Sequence, residues 1–210
     1  MDSLAIFGGT FDPIHNGHLQ TSLNIQTHFK FDSYVFLPCK IPITKPPPLA
    51  NTQQRIKMIQ LAIKDYPSLN IDLREITRDS PSYMVETLES FRLEFPQAAI
   101  TLIMGYDSFS LLPTWYQWKK LITLGNILVI NRNDFYRPQL SELLQNFLKK
   151  YQCKEKTAIL KNQSGAIFFF NAGYYEISST KIREEIKQGK EVDSKLPKAV
   201  YHYIRDEGLY

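Results

Sequence analysis

Two histidines three residues apart, just after a pair of glycines, are the residues best suited to chemistry in this sequence. The string runs Gly8-Gly9-Thr10-Phe11-Asp12-Pro13-Ile14-His15-Asn16-Gly17-His18-Leu19. Paired glycines let the backbone approach a ligand with no side chain in between. A helix that begins near His15 and His18 offers unpaired N–H groups and a partial positive charge, which together favour an anion such as phosphate. Two imidazoles on one turn add donors that can follow a phosphate as its charge shifts. The plainer alternative is a glycine-rich turn closed by a capping histidine, and the length of the string argues for the phosphate site. It is neither the dinucleotide fingerprint G-x-G-x-x-G nor a P-loop.

A second string, Ile177-Ser178-Ser179-Thr180-Lys181-Ile182-Arg183, lies far downstream. Three hydroxyl residues before a helix are good N-caps. They can also present hydroxyls and N–H groups to a polyphosphate, with Arg183 one turn on to grip its outer oxygens. Alone, the string reads as capping; beside the first string, it reads as polyphosphate binding.

The elements that must position these residues alternate between short apolar runs and helical periods. Residues 4–7, 34–37, 100–104, 127–130 and 167–170 read as buried strands without polar alternation, as in a parallel sheet covered on both faces. Helices are predicted over 18–29, over 53–65 with Ile56, Ile59 and Ile63 on one face, and over 84–95 with Val85, Leu88, Phe91 and Phe95 inward. Further helices are expected over 140–148, over 181–188 closed by Gly189, and over 197–204 with a proline in its first turn. This alternation predicts a doubly wound α/β parallel sheet, with ligands past the carboxyl ends of the strands. Residues 1–210 read as a single domain, the helices from about 177 packing on it.

Composition bounds the rest. The 210 residues are 43% hydrophobic, enough for a core, and the net charge of +4 suits an anionic ligand without arguing for nucleic acid. Cys39 and Cys153 stand in no metal-ligand spacing and read as free thiols of a reducing compartment. No signal peptide or membrane span is legible, so the expected setting is the cytoplasm and the expected partners are small molecules, not nucleic acid or membrane.

Together the Gly-Gly-Thr-Phe-Asp-Pro-x-His-x-Gly-His and Ile-Ser-Ser-Thr-x-x-Arg strings resemble the nucleotidylyltransferase superfamily and its Rossmann-like fold. The chain between them is similar to nicotinate-nucleotide adenylyltransferases. That likeness rests on Pro81-Ser82-Tyr83 followed by Thr87-Leu88, on Gly105-x-Asp107, on Leu112-Pro113-Thr114-Trp115, and on the tail with Leu196-Pro197, Tyr203-Ile204 and Gly208-Leu209-Tyr210.

The resemblance implies that Gly8, Gly9 and Phe11 lend backbone to the ATP phosphates. His15 and His18 would bind those phosphates, with His18 the chief transition-state residue. Ser178, Ser179, Thr180 and Arg183 would bind ATP, with Ile177 near the adenine. On the acceptor side, Thr10 would hold the phosphate and Asp107 would contact ribose. Trp115 would stack on the pyridine ring, while N–H groups in the Ser82, Tyr83, Met84 and Tyr116 segments would meet its carboxylate. Arg132 is a further candidate for the acceptor phosphate. Plainer roles exist: Trp115 as core, Asp107 as a helix N-cap, Arg132 as a solvated charge.

The chain departs from the family pattern at Cys39, Lys40 and Thr44, where asparagines and a histidine are usual, and at Met84, where threonine is usual. Lys40 and Lys45 are the candidates to keep the basic role of that loop. The implied reaction joins ATP to nicotinate mononucleotide, releasing pyrophosphate, with Mg²⁺ carried by the polyphosphate. The alternatives are a phosphopantetheine or nicotinamide mononucleotide acceptor, or a non-catalytic nucleotide sensor. A class I aminoacyl-tRNA synthetase is disfavoured, because the chain has no room for tRNA-binding domains.

Overall fold

The computed structural model describes residues 2–42, 46–131 and 139–210. Six parallel strands form one sheet: β1 (Ser3–Gly9), β2 (Ser33–Pro38), β3 (Asn70–Ile71), β4 (Ala99–Gly105), β5 (Asn126–Asn131) and β6 (Ile167–Asn171), in the order β3-β2-β1-β4-β5-β6. This is the expected doubly wound sheet. The order reverses between β1 and β4, and such a switch point opens a crevice beyond the strand ends.

Successive side chains of a strand face opposite ways, and the continuous apolar strands feed two cores. Ala5 and Phe7 of β1 pack with Leu19, Ile25 and Phe29 of α1 (Asn16–Phe29) and with Ile59 of α2 (Thr52–Ile63). Leu4 and Ile6 face the other way, onto Val85, Leu88 and Phe91 of α4 (Met84–Glu94) and Leu121 of α6 (Trp118–Leu124). Ile182 of α9 (Ser179–Lys187) and Val200 and Ile204 of α10 (Lys198–Asp206) join the first core. That packing brings the second string against the turn between β1 and α1.

Each strand and helix read from the sequence is present with shifted ends. The first helix begins at Asn16, because His15 caps it. The helix expected over 140–148 is α7 (Glu142–Tyr151), capped by Ser141. Strand β3 and the short helices α3 (Arg74–Thr77), α5 (Tyr106–Ser110) and α8 (Thr157–Lys161), together with α6, were not predicted: each is too short to show a period. No described helix is long and apolar enough to cross a membrane.

A buried chain of hydroxyls ties the sheet to the first turn of α1. Tyr34 of β2 donates to Ser22 Oγ at 2.9 Å, and Ser22 donates to the His18 carbonyl at 2.9 Å. Burial pushes the Tyr34 phenol well above its ordinary range, so it stays a donor. Tyr34→Phe should remove about 1 kcal/mol of stability, which lowers the melting temperature of a domain this size by roughly 2–4 °C. Calorimetry checks this; an unchanged melting temperature would mean the chain of hydroxyls contributes nothing.

Candidate active site

The first string leaves β1 at the switch point. Phe11 adopts φ 50°, a left-handed conformation uncommon for a side chain of this size. Its ring is buried against Phe7 and Phe36 and stands edge-on to His18 at 5.2 Å. The packed ring holds the strained turn in place.

His15 and His18 cap one another. The His18 N–H donates to Nδ1 of His15 at 3.3 Å, and the His15 N–H donates to Nδ1 of His18 at 3.3 Å. The two rings stack with centroids 3.7 Å apart. A nitrogen that accepts a hydrogen bond cannot carry the proton, so this network assigns the proton to Nε2 in each ring. The capping role is therefore compatible with the expected phosphate role: the cap fixes the tautomer whose Nε2–H can donate to an anion. A Cβ on Gly17 would stand 3.0 Å from His15 Nδ1 and push the ring off its cap, which is why glycine separates the two. Both rings line a cleft shared with Gly17, Thr21, Tyr175 and Ile177, where an adenine was expected.

The second string meets the first directly. Ser178 is the N-cap of α9, accepting from Lys181 N at 3.2 Å, so capping is part of its role. Ser179 Oγ donates to the Pro13 carbonyl at 2.9 Å, and Arg183 Nη1 donates to the Asp12 carbonyl at 2.7 Å. Thr180 is exposed one turn before Arg183, and its hydroxyl stands 3.5 Å from Nη2. The Asp12 carboxylate, nearly buried, accepts from Leu49 N (2.9 Å), Ala50 N (3.1 Å) and the Tyr210 hydroxyl (2.7 Å).

On the other side of the crevice, α4 begins at Met84 with no side-chain cap from Tyr83, leaving its first N–H groups for an anion. The Tyr83 and Tyr116 rings lie 4.8 Å apart. Trp115 is half-buried beside them, neither core nor fully exposed. A Cβ on Gly8 would come within 3.2 Å of Met84 Cε, so this glycine lets the two halves of the site approach. Beneath Tyr83 lies Glu75, 2% exposed, whose carboxylate accepts from Thr87 Oγ1 at 2.7 Å and from Ser82. Burial pushes its carboxyl upward. Asp107 is exposed in α5, past the end of β4; Gly105 precedes that helix, so Asp107 is not its cap.

The basic candidates fare differently. Lys40 Nζ is held by the Arg78 carbonyl at 2.9 Å and by Asp79 at 3.2 Å, and its N–H donates to Ser82. Lys45, Thr44 and Arg132 lie outside the described residues. Cys39 and Cys153 are free thiols; Cys39 Sγ lies 3.7 Å from Thr10 Oγ1, and burial raises the pKa of that thiol.

A buried arginine supports this whole edge. Arg55, 1% exposed, donates Nη1 to the carbonyls of Thr10 (2.9 Å) and Cys39 (2.8 Å), and Nη2 to that of Lys40 (3.3 Å). It fastens the end of β1 to the end of β2.

A parallel sheet with two phosphate-seeking strings meeting at its switch point defines a nucleotide-handling α/β domain, and residues 6–185 match the sequence profile of the cytidylyltransferase-like family. A relative from Legionella pneumophila (strain Corby), named probable nicotinate-nucleotide adenylyltransferase, is 54% identical over 210 residues, covering all of both chains. One of the same name from Methylococcus capsulatus is 37% identical over 208 residues, covering 99% of each. The chain belongs to the nicotinate-nucleotide adenylyltransferases within the cytidylyltransferase-like family. The fold is also that of Plasmodium falciparum nicotinic acid mononucleotide adenylyltransferase complexed with NaAD, with a TM-score of 0.76, 17% identity, and coverage of 100% of this chain and 98% of that one.

Sequence reading missed Arg55, Glu75 and Tyr210 as parts of the site. A signal existed for Arg55: it heads a helical face continued by Met58, Ile59 and Ala62, and an arginine on an apolar face must find partners. Arg55→Met should cost about 3 kcal/mol or more, since each buried carbonyl left unpaired costs roughly 1–3 kcal/mol. Turnover should fall even where the variant is folded, because Thr10 loses its anchor. Urea denaturation and an assay at 25 °C test this; a loss below about 1 kcal/mol would mean water replaces the guanidinium.

Proposed function

We propose that this protein transfers AMP from ATP to the 5′-phosphate of nicotinate mononucleotide, giving nicotinate adenine dinucleotide and pyrophosphate, a step of NAD synthesis. The observation that carries this reading is the stacked His15–His18 pair at the head of α1, joined through Asp12 and Pro13 to Arg183 and Ser179. An acceptor phosphate oxygen attacks the α-phosphorus in line; the new P–O bond forms as the bond to the β-phosphate oxygen breaks, and pyrophosphate leaves. The nucleophile is already ionised, so no strong base is needed. Catalysis is positioning and charge stabilisation.

In this reading Gly8, Gly9 and Phe11 lend backbone to the ATP phosphates, and the Nε2–H donors of His15 and His18 meet the charge that grows in the transition state. Ser178, Ser179, Thr180 and Arg183 take the outer phosphates, with Ile177 against the adenine. Thr10 and Asp107 hold the acceptor's phosphate and ribose, Trp115 stacks on its ring, and the uncapped N–H groups at Met84, with those near Tyr116, receive its carboxylate. Lys45 and Arg132 are further candidates for the phosphates. Lys40, whose amine meets the Arg78 carbonyl and the exposed Asp79, is a candidate beside them. Mg²⁺ would be carried on the phosphate oxygens as part of the nucleotide substrate, and the Asp12 carboxylate already accepts three hydrogen bonds. Residues 1–210 act as one domain in the cytoplasm, where the two free thiols are at home.

With ATP and Mg²⁺, nicotinate mononucleotide should support pyrophosphate release and phosphopantetheine should not. The reverse result would refute the assignment. His18→Ala should lower kcat by roughly 10²–10³, as loss of an oxyanion donor does, with a smaller effect on ATP affinity.

Acceptor choice follows from the uncapped helix. A carboxylate only accepts, so two N–H donors suit it, whereas a nicotinamide would set its NH₂ against one of them, an unpaired contact costing roughly 1–3 kcal/mol. The nicotinate form should be preferred about 10-fold or more in kcat/KM. Met84→Thr should leave that preference intact, since either residue supplies the same N–H. Trp115→Ala should weaken both acceptors alike. Equal kcat/KM for the two acceptors in the wild type would sink the backbone-donor argument.

A further inference from the structure

Beyond these groups, the structure holds a tyrosine at the heart of the phosphate motif that touches no expected ligand. Tyr210 lies 198 residues from Asp12 in sequence, yet its hydroxyl donates to Asp12 Oδ1 at 2.7 Å. The same oxygen accepts from Ala50 N at 3.1 Å, while Oδ2 accepts from Leu49 N at 2.9 Å. Arg183 and Arg55 are both cations near this site, and Arg183 is the one paired with Asp12. Its Nη1 donates to the Asp12 main-chain carbonyl at 2.7 Å and forms an ion pair with Oδ2 at 3.8 Å, with no hydrogen bond between the two charged groups. A guanidinium and a carboxylate this close, with the carboxylate nearly buried, attract strongly in a poorly solvated setting. Both carboxylate oxygens already have other donors, and the pair is left without a direct hydrogen bond.

We infer that Tyr210 is a positioning residue for the nucleotide: by occupying Asp12 it keeps the Arg183 guanidinium on the main-chain carbonyl, in one long ion pair with the carboxylate, with its remaining N–H groups turned to ATP rather than closed into a bidentate hydrogen-bonded pair. This rests on the reading of Arg183 as an ATP-phosphate ligand. Without the hydroxyl, Oδ1 keeps a single N–H donor. Arg183 then becomes its best replacement, and a bidentate pair with Asp12 would use the same fork that grips phosphate. Burial and the Asp12 carboxylate hold the Tyr210 phenol far above its ordinary range, so the donor persists at any pH the enzyme meets.

Tyr210→Phe removes only the hydroxyl. It should raise the KM and the calorimetric Kd for ATP about 5- to 10-fold, with kcat and the acceptor KM within about 2-fold. In an Arg183→Ala background the same change should add nothing, because the residue it acts through is gone. Tyr201→Phe is the control: Tyr201 also donates to a carboxylate, Glu191 at 2.8 Å, but in an exposed position, and its loss should leave ATP binding unchanged. Titrating ATP calorimetrically well below each variant's melting temperature gives the folded fraction from the stoichiometry, so loss of folded protein cannot pass for loss of affinity. An unchanged ATP Kd in Tyr210→Phe, or an equal further loss in the Arg183→Ala background, would overturn the inference. If Arg183→Ala itself leaves ATP affinity intact, the phosphate reading of Arg183 fails, and the inference with it.

Discussion

A carboxylate withdrawn from water must find donors to replace its lost hydration, and at Asp12 those donors come from two distant parts of the chain, while a third binds its main-chain carbonyl. Leu49 and Ala50 reach it from the stretch before α2, Tyr210 from beyond α10, and Arg183 of α9 binds the adjoining carbonyl. None of these segments neighbours the turn in sequence. They are gathered because one charge, buried in the bend that follows β1, has to be satisfied. The crevice at the β1–β4 switch point supplies the room; the needs of Asp12 decide which residues border it.

The histidine pair shows the same economy at shorter range. An N-cap and a phosphate donor are usually treated as competing explanations of one side chain. In the proposed reading the stacked rings would do both, because each imidazole has two nitrogens with separate tasks. One accepts from the helix terminus and so settles where the proton sits on the other. The same holds at Ser178 and Ser179, where one hydroxyl caps α9 and the next binds the Pro13 carbonyl.

What could be read from the sequence follows from the range of each interaction. Continuous apolar strands such as 100–104, and the periodicity of α1, α2 and α4, are local patterns, and the sheet was legible from them. The two strings were legible because glycine, histidine and serine at fixed spacing have few other uses together. Tyr210 was legible as part of the tail that resembles the family, but its contact was not, and a glutamate in a four-residue helix carries no mark at all: their partners, Asp12 and Thr87, are brought to them only by the fold. Lys40 shows the same. Its charge and place suggest a phosphate contact, and the fold adds partners for its amine, the Arg78 carbonyl and Asp79, that no local pattern shows. Lys45 and Arg132 fall outside the described residues, and their roles rest on the sequence alone.

Arg55 holds the strand ends by their carbonyl oxygens, and every residue has one. The side chains at positions 10, 39 and 40 are therefore no part of the anchor. This chain carries Cys39 and Lys40 where its family usually has asparagines, and Arg55 reaches both carbonyls all the same. Geometry and residue identity are uncoupled along this edge: the loop can exchange its side chains, and with them the surface it turns toward a substrate, while its backbone stays moored to a residue one helix away.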